Sequence, residues 1–469
     1  MMRSKVLVCG AGPAGLVAAI TLAHAGVDVL LVERRPDTLT LPRATAISTR
    51  TMEILRSWGL EPAVRAVAMD LKERGWITFA LTSNEGMELQ EGFPTAAEAA
   101  EVSPTRPALA PQDDLERVLV EHLRSLPSAR VEYGVELVGL AQDDDGVTVE
   151  LRGAAPRSVR VDYVIGADGV ASTVRSQLGI VLEGVDDLVT HAATQFRAPL
   201  WDVVGERRYG IYVIINPEAD GVVVPSGQGD RWVYGQEIPS GSPTPPAEET
   251  IRRIRIASGV PDLEVRVERT GQFTFAAMVA DRYRVGRGFV IGDAAHRITP
   301  RGGTGMNTAI HDGYDLGWKL AWVLSGWAAP ALLDSYEAER RPIGARNAER
   351  SARPDGSRRE LAESLADDLG GRLAHAWVDG VSTLDLLGPG LTVLAGSAGS
   401  RWVDAAVTLP VPVTTHVVNG AAEVALGIEP GGAVLVRPDG QVMAKFSADV
   451  PDPATALALT SFESASYVG

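Results

Sequence analysis

The feature that most constrains the fold of this chain is a glycine-rich turn near its N-terminus. Residues 6–9, Val-Leu-Val-Cys, are apolar and predict a buried parallel strand. The turn follows at 10–15, Gly-Ala-Gly-Pro-Ala-Gly, and the alanine- and leucine-rich stretch 16–25 predicts a helix. A second apolar strand, 27–32, ends at Glu33. A strand, a G-x-G-x-x-G turn, a helix and a second strand with a terminal acid together predict a βαβ unit that binds a dinucleotide.

Each residue of the turn has a physical role in this interpretation. Gly10 permits the tight turn, Gly12 lets the backbone approach a pyrophosphate, and Gly15 lets helix and strand pack closely. The helix that begins near Pro13 and Ala14 offers unpaired N–H groups and a partial positive charge to the phosphates. The acid at the end of the second strand accepts hydrogen bonds from an adenosine ribose. The alternative is a glycine-rich turn without a ligand, and the motif alone does not distinguish FAD from NAD.

Two later turns favour FAD over NAD. The apolar strand 161–165 runs into Gly-Ala-Asp-Gly at 166–169, and the short strand 289–291 ends in Gly292-Asp293. A carboxylate at the C-terminal end of a strand suits a ribose or ribityl hydroxyl. Two nucleotide-type turns so far apart in the chain indicate one long cofactor held at both ends, as FAD would be. The alternative for the middle turn is a plain strand–turn–helix connection.

The segment after the last turn predicts a loop followed by a helix. Residues 300–305, Pro-Arg-Gly-Gly-Thr-Gly, are called the glycine loop below, because three glycines and a proline prevent regular structure. From Gly305 on, apolar residues recur at three- and four-residue steps and predict a helix. The partial positive charge at its N-terminus would stabilise negative charge at the N1–C2=O edge of a reduced flavin. The alternative is a helix start that meets no anion.

Composition excludes several classes of function. The chain has 469 residues, which predicts two or three domains, and its net charge of −16 disfavours a nucleic-acid partner. Its one cysteine, Cys9, leaves no disulfide framework and no cysteine metal cluster, and no metal is predicted. No run approaches the ~18–20 apolar residues of a membrane helix. Gly10, Gly12 and Pro13 interrupt the N-terminal apolar stretch, which disfavours a signal peptide, and a cytoplasmic protein is expected.

In this order and spacing, the three motifs resemble those of the class A flavoprotein monooxygenases, the aromatic hydroxylases of p-hydroxybenzoate hydroxylase type. The resemblance covers residues 4–350. Residues 299–309 and 333–342 are similar to those of actinobacterial polyketide-tailoring hydroxylases of tetracenomycin and angucycline type. The resemblance to this family implies an α/β fold with three parts: a Rossmann-like FAD-binding domain, an inserted antiparallel-sheet substrate domain and a small C-terminal thioredoxin-like domain.

The resemblance also implies domain boundaries. The FAD-binding domain is expected to be discontinuous, and the substrate domain to combine two segments. A helical linker and a C-terminal domain without cysteines, structural or interface-forming, are expected to follow. The expected ranges are 1–75, 102–182 and 282–360 for the FAD-binding domain, 76–101 and 183–281 for the substrate domain, 361–379 for the linker, and 380–469 for the thioredoxin-like domain.

Residue by residue, the resemblance implies a set of cofactor contacts. Asp168 matches the family's DG motif and Asp293 its GD motif, while Arg43 matches an arginine near the FAD pyrophosphate and Gln112 a glutamine that contacts FAD. Pro300, Met306 and Asn307 are expected to contribute to catalysis from the loop beside the flavin ring, and no substrate base is assigned. The expected cofactor-binding residues are Gly10, Gly12, Pro13, Ala14, Gly15, Glu33, Arg34, Arg43, Gln112, Asp168, Asp293, Pro300, Gly303, Gly305, Met306 and Asn307.

The function implied by the resemblance is monooxygenation of an aromatic small molecule. NADPH or NADH, bound transiently, would reduce FAD, and O₂ would give a flavin C4a-hydroperoxide that hydroxylates a phenolic or polycyclic, polyketide-like ring. His296 and His311 near the loop are interpreted as structural. The protein is expected to be a monomer or homodimer without a membrane partner. Candidate substrate-pocket residues, which plain core packing would explain as well, are Tyr209, Tyr212, Trp232, Tyr234 and Phe275.

Four other functions remain open at this point. A Baeyer–Villiger oxygenase or an epoxidase would use the same scaffold. An FAD oxidoreductase that does not use O₂ would share the cofactor motifs, and so would a flavin-binding protein without catalytic activity.

Overall fold

The computed structural model describes residues 4–37, 44–89 and 93–463. The strands in chain order are β1 Val6–Cys9, β2 Val29–Glu33, β3 Ala46–Ile47, β4 Lys72–Thr78, β5 Gly86–Leu89, β6 Ala108–Leu109, β7 Ala129–Tyr133, β8 Glu136–Asp143, β9 Gly146–Arg152, β10 Arg157–Val161, β11 Tyr163–Gly166, β12 Leu182–Arg197, β13 Tyr209–Ile214, β14 Gly221–Pro225, β15 Arg231–Ile238, β16 Arg266–Ala280, β17 Arg284–Val285, β18 Gly288–Val290, β19 His296–Arg297, β20 Trp377–Val378, β21 Val381–Ser382, β22 Leu391–Ala395, β23 Val413–Val417, β24 Ala433–Val436 and β25 Val442–Phe446.

The α-helices alternate with these strands along most of the chain. In chain order they are α1 Pro13–His24, α2 Thr49–Ser57, α3 Glu61–Val67, α4 Ala96–Ala100, α5 Gln112–Ser125, α6 Thr173–Gln177, α7 Leu200–Val204, α8 Ala247–Ser258, α9 Gly305–Leu324, α10 Asp334–Ala352, α11 Leu361–Leu369, α12 Ser400–Ala406, α13 Ala421–Leu426 and α14 Pro453–Glu463.

The first sheet is the predicted βαβ unit extended on both sides. Its strand order is β17-β18-β11-β1-β2-β7, and all neighbours are parallel except β17 and β18. The central strand β1 is buried along its whole length, as its unbroken apolar sequence predicts for a parallel strand covered on both faces. Its strands come from three separated parts of the chain, so the sheet is assembled from distant segments.

Helices α1 and α9 pack tightly on this sheet. A Cβ added to Gly313 of α9 would lie 2.3 Å from the carbonyl oxygen of Ala14 in α1, so only glycine allows this approach. A Cβ added to Gly317 would likewise lie 2.7 Å from Cβ of Thr21. The prediction that a helix begins at Gly305 is confirmed. The close packing brings the glycine loop that precedes α9 to the same end of the sheet as the N-terminal turn.

The second sheet has eight strands in the order β19-β16-β12-β15-β14-β13-β4-β5. A purely antiparallel sheet was expected, but β4 pairs parallel with β13. The chain between these two strands includes β7 and β11 of the first sheet, and a connection of that length allows parallel pairing. One face of the sheet packs under α7 and α8 and forms a separate apolar core around Phe196, Tyr212 and Trp232.

The C-terminal segment forms a four-stranded sheet in the order β23-β22-β24-β25. The segments 391–394 and 432–440 predict two of these strands, which the structure has as β22 and β24, whereas β23 and β25 are not predicted. The predicted helical linker over 361–379 is wrong in its second half: α11 ends at Leu369, where Gly370 and Gly371 follow, and Trp377 starts β20. The core of this sheet includes Trp318 and Trp322, so α9 joins the first and last sheets. Among the described helices, none is both long and apolar enough to cross a membrane.

Candidate active site

The sequence motifs converge because they follow the carboxyl ends of neighbouring parallel strands. The N-terminal turn begins at Gly10 directly after β1, Glu33 ends β2, Ala167 follows β11, and Gly292 follows β18. These four strands lie side by side in the first sheet. Ligands of open α/β sheets bind at this edge, where the connections leave in opposite directions. The topology therefore makes one site from segments that are distant in sequence.

The N-terminal turn has the shape that a phosphate ligand requires. Gly10 has φ +110°, and a Cβ there would lie 2.2 Å from the carbonyl oxygen of Ala167. A Cβ at Gly15 would lie 2.0 Å from the carbonyl oxygen of Gly10, whereas one at Gly12 would meet nothing within 4 Å. Helix α1 begins with Pro13 and has no side-chain cap, which leaves the N–H groups of its first turn available.

Glu33 is buried and holds the turn in place. Its carboxylate accepts hydrogen bonds from the N–H of Ala11 at 2.8 Å and from the guanidinium of Arg35 at 3.0 Å. Burial would raise the pKa of Glu33, but the hydrogen bonds from Arg35 and Ala11 outweigh it and hold the pKa below its usual range. Arg34, the predicted contact, is exposed next to this pair. The sequence analysis missed Arg35, although a cation two residues after a strand-end acid is a signal that could have found it.

Gln112 lies at the start of α5 in the same polar cluster. Its side chain donates a hydrogen bond to Glu116 at 2.8 Å, and Glu116 lies 3.9 Å from Arg35. The structure thus links the predicted glutamine to the acid at the end of β2 through two charged residues that sequence reasoning did not single out. Arg43, the predicted pyrophosphate contact, lies outside the described residues.

Asp168 is engaged in capping a helix. Its carboxylate accepts hydrogen bonds from the hydroxyl of Ser172 and from the N–H groups of Thr173 and Val174, at 2.7 and 3.1 Å for the two amides. Burial raises the pKa of Asp168 against these hydrogen bonds. This carboxylate therefore orders the start of α6 beside the N-terminal turn. Such a role is also what the alternative of a plain strand–turn–helix connection predicts.

Gly292 and Asp293 lie between the two long helices. A Cβ at Gly292 would be 3.1 Å from Cβ of Ala14 in α1 and 3.2 Å from Cβ of Ala309 in α9. Asp293 follows in a short 3₁₀ turn and its side chain is exposed. An exposed carboxylate next to the start of α1 is available for the hydroxyl groups of a bound ligand.

The turn is fixed from behind by a buried charged triad. Asp312 of α9 accepts hydrogen bonds from the N–H of Gly292 at 3.2 Å and from Arg340 at 2.9 Å, and it lies 2.7 Å from Nε2 of His296. Burial would raise the pKa of Asp312, but His296 and Arg340 hold it below its usual range. His296 is buried, whereas His311 is partly buried and pairs with Thr51 at 3.1 Å.

Asn307 connects the glycine loop to the segment after the first nucleotide unit. Its amide oxygen accepts hydrogen bonds from the N–H of Ser48 and the hydroxyl of Thr51, both at 2.9 Å. Its amide nitrogen donates to the carbonyl oxygens of Ala46 at 3.0 Å and Gly303 at 3.1 Å. The side chain, predicted to act in catalysis, is therefore fully used in shaping the loop.

The other loop residues are more open. Pro300 is exposed, and Met306 is partly buried against the core of the first sheet. Gly303 has φ +62° and Gly305 begins α9, whose first turn has no side-chain cap. The loop and the start of α9 thus present backbone N–H groups near the convergence of the motifs.

Four of the five aromatic substrate candidates lie in a core instead of a pocket. Tyr209, Tyr212, Trp232 and Tyr234 are all almost completely buried under α7 and α8. Trp232 and Tyr234 are two residues apart in β15 and therefore share the covered face. Tyr212 and Tyr209 belong to the same apolar core, and the strand pairing shifts register just after Tyr209. This placement favours the core-packing alternative for all four. Phe275 is the exception, since it packs against His191 and the glycine loop on the opposite face.

We call the opposite side of the second sheet, defined by His191, Phe273 and Phe275, its open face. The rings of His191 and Phe275 are stacked with centroids 4.2 Å apart, and Phe273 is 43% exposed. The guanidinium of Arg301, in the glycine loop, lies 5.3 Å from the centroid of the Phe275 ring. The glycine loop and the open face are therefore adjacent, and His191 is a candidate that sequence reasoning missed.

A separate cavity of about 750 Å³ lies behind the glycine loop. It is bounded by α9, α10, α11 and the C-terminal sheet, and the convergent turns at Gly10, Glu33 and Asp293 do not line it. Carboxylates of Asp315 and Glu339 in its wall are paired with Lys319 at 2.8 and 3.1 Å. These ion pairs connect α9 to α10 across the wall of the cavity.

The site fits FAD. The open space at Gly12 and the uncapped start of α1 suit a pyrophosphate, the acid of β2 suits a ribose, and exposed Asp293 suits a second hydroxyl-bearing chain. Residues 3–351 match the family model of the FAD binding domain, and residues 366–462 match the C-terminal domain of aromatic-ring hydroxylases. The chain belongs to the FAD-dependent aromatic-ring hydroxylases, which are flavoprotein monooxygenases, and the resemblance noted in the sequence is confirmed.

Relatives that resemble most of the chain agree with this family. The tetracenomycin B2 monooxygenase-dioxygenase of Streptomyces olivaceus is 35% identical over 96% of this chain and 97% of the relative. The 4-methyl-5-nitrocatechol 5-monooxygenase of a Burkholderia species is 33% identical over 96% of each chain. The ternary complex of aklavinone-11 hydroxylase with FAD and aklavinone has a TM-score of 0.90 at 30% identity, with 98% of each chain covered.

Proposed function

We propose that this protein hydroxylates a phenolic, polycyclic aromatic substrate of polyketide type, with NADPH or NADH as electron donor and O₂ as oxidant. When bound, FAD would supply the activation of O₂. The relatives named above act on tetracenomycin, nitrocatechol and aklavinone-type aromatic compounds according to their names, which supports this substrate class.

The observation that carries the proposal is the contact between Arg301 and Phe275. It joins the glycine loop, which precedes α9, to the open face of the second sheet. An aromatic substrate placed between them would lie against the exposed ring of Phe273 while facing the cofactor end of the first sheet. Such a placement fixes the orientation of the reacting ring and limits its contact with water.

The chain's own residues supply binding and orientation in this proposal. Gly12 and the start of α1 would hold the pyrophosphate, Glu33 the adenosine ribose, and Asp293 the ribityl chain. Asn307 would act by positioning the loop, since its side chain is bonded to four neighbouring groups. The uncapped start of α9 would stabilise negative charge on the reduced cofactor.

We also propose a division of labour among the three main sheets. The first would bind FAD, the second would bind substrate, and the C-terminal sheet would be a thioredoxin-like unit of structural function. The parallel pair β22 and β23 joined by α12, followed by the antiparallel hairpin β24–β25, supports that comparison. The chain's one cysteine is in β1, so thiol redox chemistry has no place in this unit. NAD(P)H is a cytoplasmic metabolite, which supports a cytoplasmic site of action.

The test is product analysis with isotopically labelled O₂. The purified protein, loaded with FAD, is supplied with NADPH or NADH and with aklavinone or simple dihydroxyanthraquinones. We expect the labelled oxygen in a new ring hydroxyl. A labelled lactone would indicate a Baeyer–Villiger oxygenase and a labelled epoxide an epoxidase. Substrate oxidation without label would indicate an oxidoreductase that does not use O₂, and absence of flavin from the protein would contradict all of these functions.

A further inference from the structure

His191 is located where the second sheet meets the glycine loop. It lies in β12, where Thr190, Ala192, Thr194 and Phe196 are buried and the residues between them are only partly buried. Because side chains alternate in a strand, His191 lies on the open face and Phe196 on the covered face. The ring is thus at the surface that faces the proposed substrate position.

Two aromatic rings hold the imidazole in a defined orientation. His191 stacks on Phe275 with an interplanar angle of 10° and a centroid distance of 4.2 Å. Phe273 flanks it with a centroid distance of 5.8 Å. Arg301 in turn lies over Phe275. The imidazole is therefore a fixed group next to the glycine loop and not a freely rotating surface side chain.

The imidazole lacks a hydrogen-bond partner. Nδ1 of His191 is buried, and among the residues that the structure describes no group pairs with it. A buried polar atom without a partner loses the hydrogen bond that it would form in water, which is unfavourable. Stacking on phenylalanine rings does not replace the missing hydrogen bond. The hydrogen-bonding capacity of this ring, on the open face next to the glycine loop, is therefore not used by the described protein groups.

Burial of His191 favours its neutral form. Burial lowers the pKa of His191, and the positive charge of Arg301 lowers it further, against the opposing effect of Glu237 on the paired strand β15. Arg301 itself donates to the carbonyl oxygens of Ser351 and Ala352, and no carboxylate among the described residues forms an ion pair with it. The His191 imidazole and the Arg301 guanidinium thus both lie next to the ring of Phe275.

We propose that His191 accepts the hydrogen bond and the proton of a phenolic hydroxyl of the substrate, and that Arg301 stabilises the resulting phenolate. The O–H bond breaks, its electron pair stays on the phenol oxygen, and the proton moves to an imidazole nitrogen and from there to solvent. A phenolate has a more electron-rich ring than a phenol, so this step would activate the ring for hydroxylation. The inference rests on the proposed function and names the base that the sequence left unassigned.

The test measures the ionisation of a bound phenol directly. Aklavinone is titrated with the FAD-loaded protein at a series of pH values, and the phenolate absorption of the bound ligand is recorded beyond the flavin bands. In His191→Phe, which keeps a ring for stacking, we expect the ionisation constant of the bound phenol to fall about tenfold or more, a pKa rise of about one unit. FAD content should stay unchanged.

Gln195 provides a matched control on the same strand. It lies on the same face as His191, and its amide oxygen is also buried without a partner. In Gln195→Leu we expect the bound phenol to ionise with the same pKa as in the wild-type protein. An equal shift in both variants, or no shift in His191→Phe, would overturn the assignment, as would failure of the wild-type holoenzyme to bind aklavinone.

The two proposals fail in different ways. If the wild-type protein incorporates labelled oxygen and His191→Phe leaves the phenol ionisation and the pH profile of turnover unchanged, only the role of His191 is wrong. If the wild-type protein incorporates no oxygen into any product, the proposed function fails, whatever the titration shows.

Discussion

Arg437 of the C-terminal sheet forms a two-pronged ion pair with Glu339 of α10, with both N–O distances at 2.9 Å. The same guanidinium contacts Asp439, which is buried. This contact joins the C-terminal unit to a helix that also supports the turn at Gly292 through Arg340 and Asp312. The C-terminal sheet is thereby attached to the cofactor unit by charge as well as by apolar packing.

We predict that Arg437→Met destabilises this junction. Without Arg437, the three carboxylates of Asp315, Glu339 and Asp439 have only the ammonium group of Lys319 as a close cation among the described residues. Because loss of one partner of a buried ion pair costs about 3–5 kcal/mol, the free energy of unfolding should fall by an amount of this order. The measurement is urea unfolding followed by tryptophan fluorescence, because Trp402 is completely buried in the C-terminal core. The control is Arg353→Met in an exposed pair with Glu349, for which less than about 1 kcal/mol is expected.

Two glycines of the N-terminal turn should behave differently. Gly12→Ala meets no atom within 4 Å, so the apoprotein should keep its stability while FAD binds about tenfold or more weakly, since a methyl group occupies the phosphate position. Gly15→Ala places a methyl 2.0 Å from the carbonyl oxygen of Gly10 and should cost about 1–3 kcal/mol of stability. Thermal unfolding and flavin titration distinguish the two. Equal destabilisation by both substitutions would contradict the phosphate role of Gly12.

Asp293→Ala should abolish FAD binding and the yellow colour of the protein. The side chain is exposed, so the apoprotein should change in stability by no more than about 0.5 kcal/mol. Asp293→Asn keeps a hydrogen-bonding group and should retain part of the affinity. Visible absorbance of the purified variants and calorimetry of the apoproteins test this. Flavin retained tightly by Asp293→Ala would count against the assigned role.

Substitution of Asn307 or Met306 should slow flavin chemistry more than it weakens substrate binding. Asn307→Leu leaves the N–H of Ser48 and the carbonyl oxygen of Gly303 without their partner, so the loop should shift, with a stability cost of roughly 1–3 kcal/mol per group left unpaired. Met306→Leu conserves volume and should cost less than about 1.5 kcal/mol. Stopped-flow rates are compared with substrate dissociation constants. A change confined to substrate affinity would reject this placement of the loop.

Stability should fall as the pH drops below 6.5, partly because of His311. Burial, together with the nearby charges of Arg340 and Arg50, lowers the pKa of His311 well below its ordinary value of 6.5. Below that pH the unfolded chain binds a proton that the folded protein excludes, so unfolding is favoured by up to about 1.4 kcal/mol per pH unit. Above it, both states are neutral and the effect vanishes. Urea unfolding between about pH 5 and 7 should show a shallower slope for His311→Gln. An unchanged slope would contradict the prediction.

Local features of the site were predictable from sequence. The strand, turn and helix from Val6 to His24 depend on contacts between near neighbours in the chain. The same is true of the start of α9 at Gly305, because the glycines and the proline of the preceding loop prevent regular structure. The family and the cofactor followed from the order of these motifs. The number of strands in the second sheet and the end of α11 were harder, because edge pairing and helix termination depend on segments distant in sequence.

Only the tertiary structure decided which side chains lie on the open face of the second sheet. The sequence by itself determined that Trp232 and His191 lie on strands with alternating faces, but the period of two is the same whichever face is covered. Helices α7 and α8 pack on one face and make its aromatic residues core, which leaves His191 and Phe275 on the other. Likewise, Gly292 meets Ala14 and Ala309 because neighbouring parallel strands end at one edge. The motifs were local and readable, whereas their meeting depends on packing between elements far apart in the chain.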